Sequence, residues 1–231
     1  MKKLYLILLI PVLIFSSCEE KELKLPASVT LQFDMEDFSL EDNSKAGQGF
    51  IIDRAYFVMN TLELDGIREQ GDDYFFSRAF DIPVQAEMHT GNASEEITFD
   101  IPQGIYKKIE LNLSLGDNEH PSIWLEGTFE RGPFENIPVL FQYTLKEEIG
   151  IRAENKNGER EIILRKDKPA TATIKLNVPF MFQLLNVGQI RNAELYTVEG
   201  EEMVVINKDK NTEIFNLLAT RLDKSVQVVF E

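Results

Sequence analysis

The sequence has very little of the chemistry on which most enzyme sites depend. Its 231 residues include one cysteine, two histidines and one tryptophan. A single cysteine excludes an intrachain disulfide, so burial of apolar side chains must stabilise the fold. Neither a G-x-S-x-G nucleophile motif nor an H-E-x-x-H zinc motif occurs. These absences favour a protein without catalytic activity.

Positive charge and long apolar segments are scarce as well. Lys and Arg number 24 against 39 Asp and Glu, which gives a formal net charge of -15. Such an acidic chain is a poor partner for nucleic acid, whose phosphates require Lys and Arg, or for electrostatic docking on anionic lipid. The apolar segment from Leu4 to Phe15 is shorter than the ~20 residues of a spanning helix.

The first 17 residues have the pattern of a secretory signal peptide. Lys2 and Lys3 precede the apolar segment, and the small residues Ser16 and Ser17 stand directly before Cys18. A lone thiol in an exported chain needs an explanation, and acylation of Cys18 provides one. An ordinary secretory signal with an incidental cysteine is the alternative.

Residues 15–18, Phe-Ser-Ser-Cys, resemble the lipobox of bacterial lipoproteins, although Leu is usual where Phe15 stands. The resemblance implies acylation of Cys18 and a mature charge of -17, because residues 1–17 carry two lysines. Residues 18–26 form an acidic tether, and its run Glu19, Glu20, Lys21 and Glu22 is similar to the surface-export signal of Bacteroidota lipoproteins. We therefore expect a palmitate-bearing outer-membrane protein that faces outward. A periplasmic orientation stays open.

Most of the remaining chain alternates with the period of half-buried strands. Residues 29–35 place Val29, Leu31, Phe33 and Met35 on one face. A long strand is predicted over 50–64, with Ala55, Phe57 and Met59 on one face and Tyr56, Val58, Leu62 and Leu64 on the other. Strands ending at Pro83 and Pro102 follow, and residues 36–49 are predicted to be a loop. Asn211 is positioned to cap one C-terminal amphipathic helix. That helix has an apolar stripe of Ile214, Phe215, Leu218 and Leu222.

The segment SEEITFDIPQGIYKKIELNLSL contains a second resemblance. Phe99, Ile101, Pro102, Gly104, Tyr106 and Ile109 follow a two-strand pattern that resembles Bacteroidota surface lipoproteins with a transthyretin- or immunoglobulin-like domain of unknown function. The implied fold is a mainly β, antiparallel β-sandwich over residues 27–231, with a possible subdivision near 116–120. Such folds carry many functions, so no activity follows from them.

Three side chains are candidates for ligand binding. Trp124 shares a strand face with Glu126 and Thr128, where an exposed indole could stack on a sugar ring; coverage by a loop or helix is the alternative. His89 and His120 lie in predicted loops and could ligate haem or a metal if those loops converge. Isolated loop histidines are more often exposed to solvent, so no metal and no cofactor is expected.

Two acidic clusters could be considered for calcium. They comprise Asp34, Glu36, Asp37, Glu41 and Asp42, and Asp117 to Glu119. Neither has the D-x-[DN]-x-[DN]-G spacing of a calcium loop, and solvated loops are the simpler interpretation. Gly47 and Gly49 form a lone G-x-G without the context of a dinucleotide site.

The sequence thus predicts a non-catalytic envelope protein that has a role in binding or adhesion. Its partners would be the membrane, through the lipid anchor, and an envelope protein, host protein or glycan. Two alternatives remain: a lipoprotein that captures haem, a metal or a glycan, and a fimbrial accessory subunit that accepts a donor strand by β-augmentation.

Overall fold

A computed structural model describes residues 21–41, 48–116, 120–132, 135–145 and 147–231, without the side chain of Gln48. The fold is mainly β, as predicted, with 62% strand and 12% helix. The strands are β1 (Pro26–Met35), β2 (Phe38–Glu41), β3 (Gln48–Arg68), β4 (Tyr74–Glu87), β5 (Asn92–Ala93), β6 (Ile97–Pro102), β7 (Gly104–Leu115), β8 (Ile123–Arg131), β9 (Asn136–Tyr143), β10 (Glu147–Arg152), β11 (Glu154–Asn155), β12 (Ile162–Leu164), β13 (Ala170–Leu176), β14 (Leu195–Val198), β15 (Glu201–Ile206) and β16 (Val226–Phe230).

Four short helices interrupt the C-terminal strands in the described residues. They are α1 (Val178–Phe182), α2 (Val187–Arg191), α3 (Thr212–Ala219) and α4 (Leu222–Ser225). Within the part of the chain that the structure describes, no helix has the length and apolar character needed to cross a membrane.

The larger sheet is built around the long strand β3. Strands β7 and β8 follow one another along one edge of β3, where Met59 pairs with Leu115 and Phe57 with Ile123. Strands β10 and β9 extend this arrangement outward, because β10 pairs with β7 and β9 with β8. Strands β2 and β4 pair with the opposite edge of β3. The chain leaves β7 and enters β8 near the predicted subdivision at 116–120. The single strand β3 pairs with both of them.

A β-bulge at Asn60 changes which side chains of β3 face the core. The register shifts between Met59 and Thr61 on both edges, and the Asn60 amide donates a hydrogen bond to the Gly116 carbonyl. Ala55, Phe57 and Met59 are buried before the bulge, and Leu62 and Leu64 are buried after it. Sequence alternation had placed these two groups on opposite faces. That assignment was wrong, because one extra residue reverses the alternation.

The smaller sheet has the strand order β11-β16-β13-β1-β6. β1 pairs antiparallel with β6 but parallel with β13, with Val29 opposite Ala170. Parallel pairing also joins β11 to β16 and β15 to β9, so the fold is not purely antiparallel as predicted. Phe76 of β4 stacks on Phe99 of β6 with ring centroids 4.8 Å apart. This contact links the larger sheet to the smaller one in a shared core.

The helices pack against the other part of the larger sheet. Phe182 of α1 lies 5.0 Å from the Phe38 ring and 5.5 Å from the Phe50 ring. Phe215 of α3 packs against Phe141 and Tyr143 at centroid distances of 6.0 and 5.8 Å. The predicted amphipathic helix is thus present at Thr212–Ala219. It is one of several described helices, and Leu222 of the predicted stripe belongs to α4.

The predictions missed one strand and ended others too early, since β3 runs from Gln48 to Arg68 rather than over 50–64. β2 lies inside the predicted loop 36–49, because it pairs with β3 from Phe38 to Glu41. β4 does not end at Pro83 but continues to Glu87. Ala79 pairs with Thr61 and the next paired residue on β4 is Val84, so Pro83 lies in an unpaired stretch where its missing N–H costs no ladder hydrogen bond.

Candidate functional site

An aromatic pair on the outer face of the larger sheet is the strongest candidate site. Tyr56 of β3 pairs with Trp124 of β8, and their rings stack 4.4 Å apart at an interplanar angle of 16°. Both side chains are half-buried, whereas their neighbours Ala55 and Leu125 are fully buried. Strand alternation therefore directs the two rings away from the core. We call this pair the aromatic platform.

Charged and amide groups surround the aromatic platform. Arg54 donates from Nη1 to the Tyr56 hydroxyl at 3.2 Å and lies 3.6 Å from the Glu126 carboxylate. This hydrogen bond is the largest cause that raises the pKa of Arg54, and the negative charge of Glu126 adds to it. Gln142 pairs with Trp124 on its other side and accepts a hydrogen bond of 3.4 Å from Asn207.

This combination of groups suits a polyhydroxylated ligand. The stack covers the facing side of each ring, so contact with the C–H face of a sugar ring is made by an outer ring face or an edge. The adjoining guanidinium, carboxylate and amide groups can exchange hydrogen bonds with hydroxyls. Arg54 and Glu126 keep side-chain exposures of 56% and 41%. Both can therefore rearrange toward a bound ligand with little loss of buried contact.

A second concave region lies between α2, β14 and the start of α3. It has a volume of about 590 Å³, and its lining includes Asn186, Gln189, Asn192, Glu194, Tyr196, Asp209, Asn211 and Glu213. We call it the polar groove. It is an open surface feature near the helical end of the larger sheet, and sequence reasoning did not identify it.

Much of the polar chemistry in the polar groove serves the fold. Asn211 accepts a hydrogen bond from the Glu194 amide and donates to the Glu194 and Val205 carbonyls. The predicted capping hydrogen bond from Asn211 to α3 is accordingly absent, and Asn211 has φ 48°. The Tyr196 hydroxyl donates to Glu194 at 2.8 Å, which raises the pKa of Tyr196. The groove therefore offers fewer free groups than its lining implies.

The other predicted ligand residues lie elsewhere. His89 follows β4, is half exposed, and places Nδ1 3.8 Å from Asp37. His120 is exposed in the connection that precedes β8. Because β4 and β8 pair with opposite edges of β3, the two histidines flank that strand from different sides. Cys18 lies outside the described residues.

Two described residues of the first acidic cluster make separate contacts. Asp34 forms an ion pair of 3.6 Å with Lys175, and Asp37 faces His89. Among the described residues, no group of three or more His, Cys, Asp or Glu side chains is placed to hold a metal ion. Asp42 and Asp117 to Glu119 fall outside those residues.

Tyr56 is the functional candidate that sequence reasoning missed. Its aromatic character and strand position were visible, but its partner on β8 is 68 residues away in the chain, and only the pairing register brings the rings together. Comparison with known proteins adds no relative: no family model, no curated protein and no solved structure matches the chain.

Proposed function

We propose that the chain is a lipid-anchored outer-membrane protein that binds glycans at the cell surface and catalyses no reaction. Support for the anchor comes from Lys2 and Lys3, the apolar segment that follows, and Cys18 after two serines. The acidic residues Glu19, Glu20 and Glu22 support export to the outer surface, since they resemble such a signal.

We further propose that the two sheets form a β-sandwich of the transthyretin- or immunoglobulin-like kind, enlarged by a helical cover. The contact between Phe76 and Phe99 supports this, as does the buried cluster to which both sheets contribute. Such a body would serve as a rigid scaffold, and its outer faces are free to carry a binding site.

The stacked pair of Tyr56 and Trp124 is the observation that carries the glycan proposal. A single indole would be weak support for glycan binding. Two aromatic rings beside Arg54, Glu126 and Gln142 provide both ring surface and hydrogen-bonding groups at one place. Sugars bind such surfaces through ring contacts and hydrogen bonds to side chains that point into solvent. Turnover would need an acid or base placed against a substrate, and the proposal assigns none.

Intrinsic fluorescence tests this proposal directly, because Trp124 is the only tryptophan. The protein is titrated with neutral oligosaccharides of glucose, N-acetylglucosamine, mannose and galactose, each to millimolar concentration. We expect a saturable change in Trp124 emission with at least one series. Tyr56→Ala keeps the fluorophore and should weaken binding about tenfold, which corresponds to ~1.4 kcal/mol of lost stacking.

Tyr196→Ala is the matched control, because Tyr196 is also half-buried but lies in the polar groove. It should leave the affinity unchanged. An equal loss of affinity in both variants would show that the ligand does not bind at the aromatic platform. An emission spectrum that no oligosaccharide alters would contradict glycan binding at Trp124.

A further inference from the structure

We propose that one end of the larger sheet rests against the membrane, with an apolar stripe of Ile67, Phe75, Ile105 and Ile163 placed in the lipid headgroup region. This inference depends on the proposed acylation of Cys18. It adds an orientation: the body would be held against the bilayer by a defined face rather than suspended on a tether.

The point where the folded body begins lies very close to the proposed anchor. The Gln103 side chain donates from Nε2 to the Glu22 carbonyl at 2.7 Å, and Arg68 donates from Nη2 to the Leu23 carbonyl at 2.6 Å. The Gln103 amide binds the Leu25 carbonyl at 2.8 Å. From Cys18 to Glu22 an extended chain spans at most ~14 Å. The end of the sheet that contains Arg68 and Gln103 must therefore lie next to the bilayer.

The apolar stripe lies at this same end, on the outer face of four neighbouring strands. Ile105 of β7 pairs directly with Ile163 of β12, and the Glu69 amide binds the Ile105 carbonyl at 2.8 Å. Ile67 itself pairs with Lys108, and a register shift before Arg68 brings Ile105 one step further along β7, opposite Glu69. Phe75 pairs with Asp65, which makes Phe75 the diagonal neighbour of Ile67 on the other side. The stripe crosses β12, β7, β3 and β4 without a break in strand order.

The side chains of the stripe are exposed and lie together, whereas Ile82, Leu145, Leu184 and Leu195 are exposed at other places on the surface. Phe75 and Ile163 are 62% and 54% exposed, and four of the eight exposed large apolar side chains in the described residues belong to the stripe. The adjacent inward side chains Tyr106, Ile162 and Leu164 are buried, so the stripe is not needed to fill the core. Aliphatic and aromatic side chains of this kind stabilise proteins at the headgroup boundary.

The charges beside the stripe have both signs. Asp65 pairs with Phe75 and Lys108 with Ile67, so charged side chains alternate with the stripe. Lys107, Arg165 and Lys166 are exposed near Ile105 and Ile163, and Glu69 is exposed near Ile67. The Lys166 amide binds the Gln103 side chain at 3.2 Å, which places this basic turn beside the chain start. A mixed surface has no requirement for anionic lipid, so insertion of the stripe into a zwitterionic bilayer is the interaction we infer.

Lipid-dependent quenching tests the orientation. The acylated full-length mature protein is reconstituted in phosphatidylethanolamine–phosphatidylcholine vesicles that contain a headgroup-region nitroxide lipid. Acylation blocks Cys18, so a thiol-reactive bimane label attaches only to an introduced cysteine. The label is placed at Ile163→Cys in one variant and at Phe75→Cys in another. Leu195→Cys on β14, also an exposed apolar position, is the matched control. We expect quenching at 163 and 75 to exceed quenching at 195 at least threefold.

Two further measurements make the outcome decisive. Ile105→Asp combined with Phe75→Cys should reduce the quenching at 75 to the level of the control, because a carboxylate opposes insertion of its neighbours. Mass spectrometry of Cys18 reports the anchor independently. Equal quenching at all three positions in an acylated protein would overturn the orientation but leave the anchor standing. Cross-linking of position 163 between two copies would have the same consequence, because the stripe would then contact a second copy instead of lipid. An unmodified Cys18 overturns the anchor and the orientation together.

Discussion

At the scale of single residues, Arg68 ties the start of the chain to the body. It is 8% exposed, and its guanidinium donates to the carbonyls of Leu23, Gln103 and Asp72 at 2.6, 2.7 and 3.3 Å. The Cζ atom lies 5.8 Å from the centre of the Tyr106 ring. A planar group with five donors suits several carbonyls at once, whereas an ammonium presents a single point charge.

Replacing Arg68 by Met should lower the free energy of unfolding by about 2–3 kcal/mol, because three carbonyls lose their donor while the volume is kept. Arg68→Lys should recover less than half of that loss. Denaturant unfolding followed by circular dichroism measures both. Arg131→Met is the control; Arg131 is 41% exposed in its pair with Glu135, and the change should cost less than ~1 kcal/mol. Equal losses at 68 and 131 would contradict the role of Arg68.

Burial raises the pKa of Tyr106 to about 12, although the positive charge of Arg68 opposes the shift. The hydroxyl donates to the Pro102 carbonyl at 2.7 Å. The pKa of Tyr106 is higher in the folded state than the value near 10 of the unfolded state. The stabilisation that the protonated hydroxyl gives the fold is therefore fully present below pH 10 and is lost as pH rises toward 12. Over this pH interval, the free energy of unfolding of the wild type should fall by up to about 2–3 kcal/mol relative to that of Tyr106→Phe. A constant difference between the two proteins from pH 9 to 12 would refute it.

The residue scale also shows where sequence reasoning ends. Alternation around Trp124 correctly directed it to the outer face with Glu126 and Thr128, since strand period is a local property. Tyr56 could not be added, because the pairing of β3 with β8 is set by contacts far apart in sequence. The orientation of the Asn211 side chain toward Glu194 and Val205 likewise depends on neighbours that helix-capping rules do not consider.

At the scale of elements, β3 and β7 fit closely around one glycine. A Cβ atom built on Gly66 would approach two carbon atoms of the Tyr106 ring to 2.7 and 2.9 Å. Tyr106 is fully buried beside Arg68, so its ring has little room to move. Gly66 therefore allows the aromatic ring to cover the backbone of β3, an arrangement that stabilises glycine in a strand.

Gly66→Ala should destabilise the protein by about 1–3 kcal/mol through this overpacking. Gly49→Ala is the matched control on the same strand, because a Cβ there would meet its nearest atoms at 3.5 and 3.6 Å, an ordinary contact. Thermal and denaturant unfolding measure the two changes. Tyr106→Leu combined with Gly66→Ala should lose less than the sum of the single changes. Equal stability of the Gly66 and Gly49 variants would contradict the close fit.

Element boundaries were predictable where local chemistry sets them and unpredictable where pairing does. The alternation of 29–35 gave most of β1, and the helical spacing after Asn211 gave α3. The bulge at Asn60 and the continuation of β4 past Pro83 depend on what lies across the sheet. A single-residue register shift reverses every later side chain, so Leu62 and Leu64 share the inward face with Phe57, while Tyr56 and Val58 stay on the outer face.

At the scale of the whole molecule, one long sheet has two different covers. The smaller sheet packs over the part formed by β4 and its neighbours, as the contact between Phe76 and Phe99 shows. The helices cover the part that contains Phe50, Phe141 and Tyr143. Composition and alternation predicted a mainly β protein. They could not reveal the parallel pairing of β1 with β13, because those segments are separated by most of the chain.

The two covers leave the outer face of the sheet for other roles. The apolar stripe at the Arg68 end and the aromatic platform beyond the bulge at Asn60 lie on that same face. Along β3, the platform lies farther from the chain start than the stripe does. If the stripe contacts lipid, the platform is therefore held away from the bilayer, where a ligand can reach it.

Metabolic labelling with an alkyne analogue of palmitate tests the anchor, on which this whole arrangement depends. Cells that express the full-length chain and a Cys18→Ala variant are labelled, and the protein is recovered and fractionated. We predict label in the wild type alone, in the outer-membrane fraction, and none in Cys18→Ala. Unlabelled wild-type protein, recovered in the soluble fraction with residues 1–17 still attached, would contradict the account.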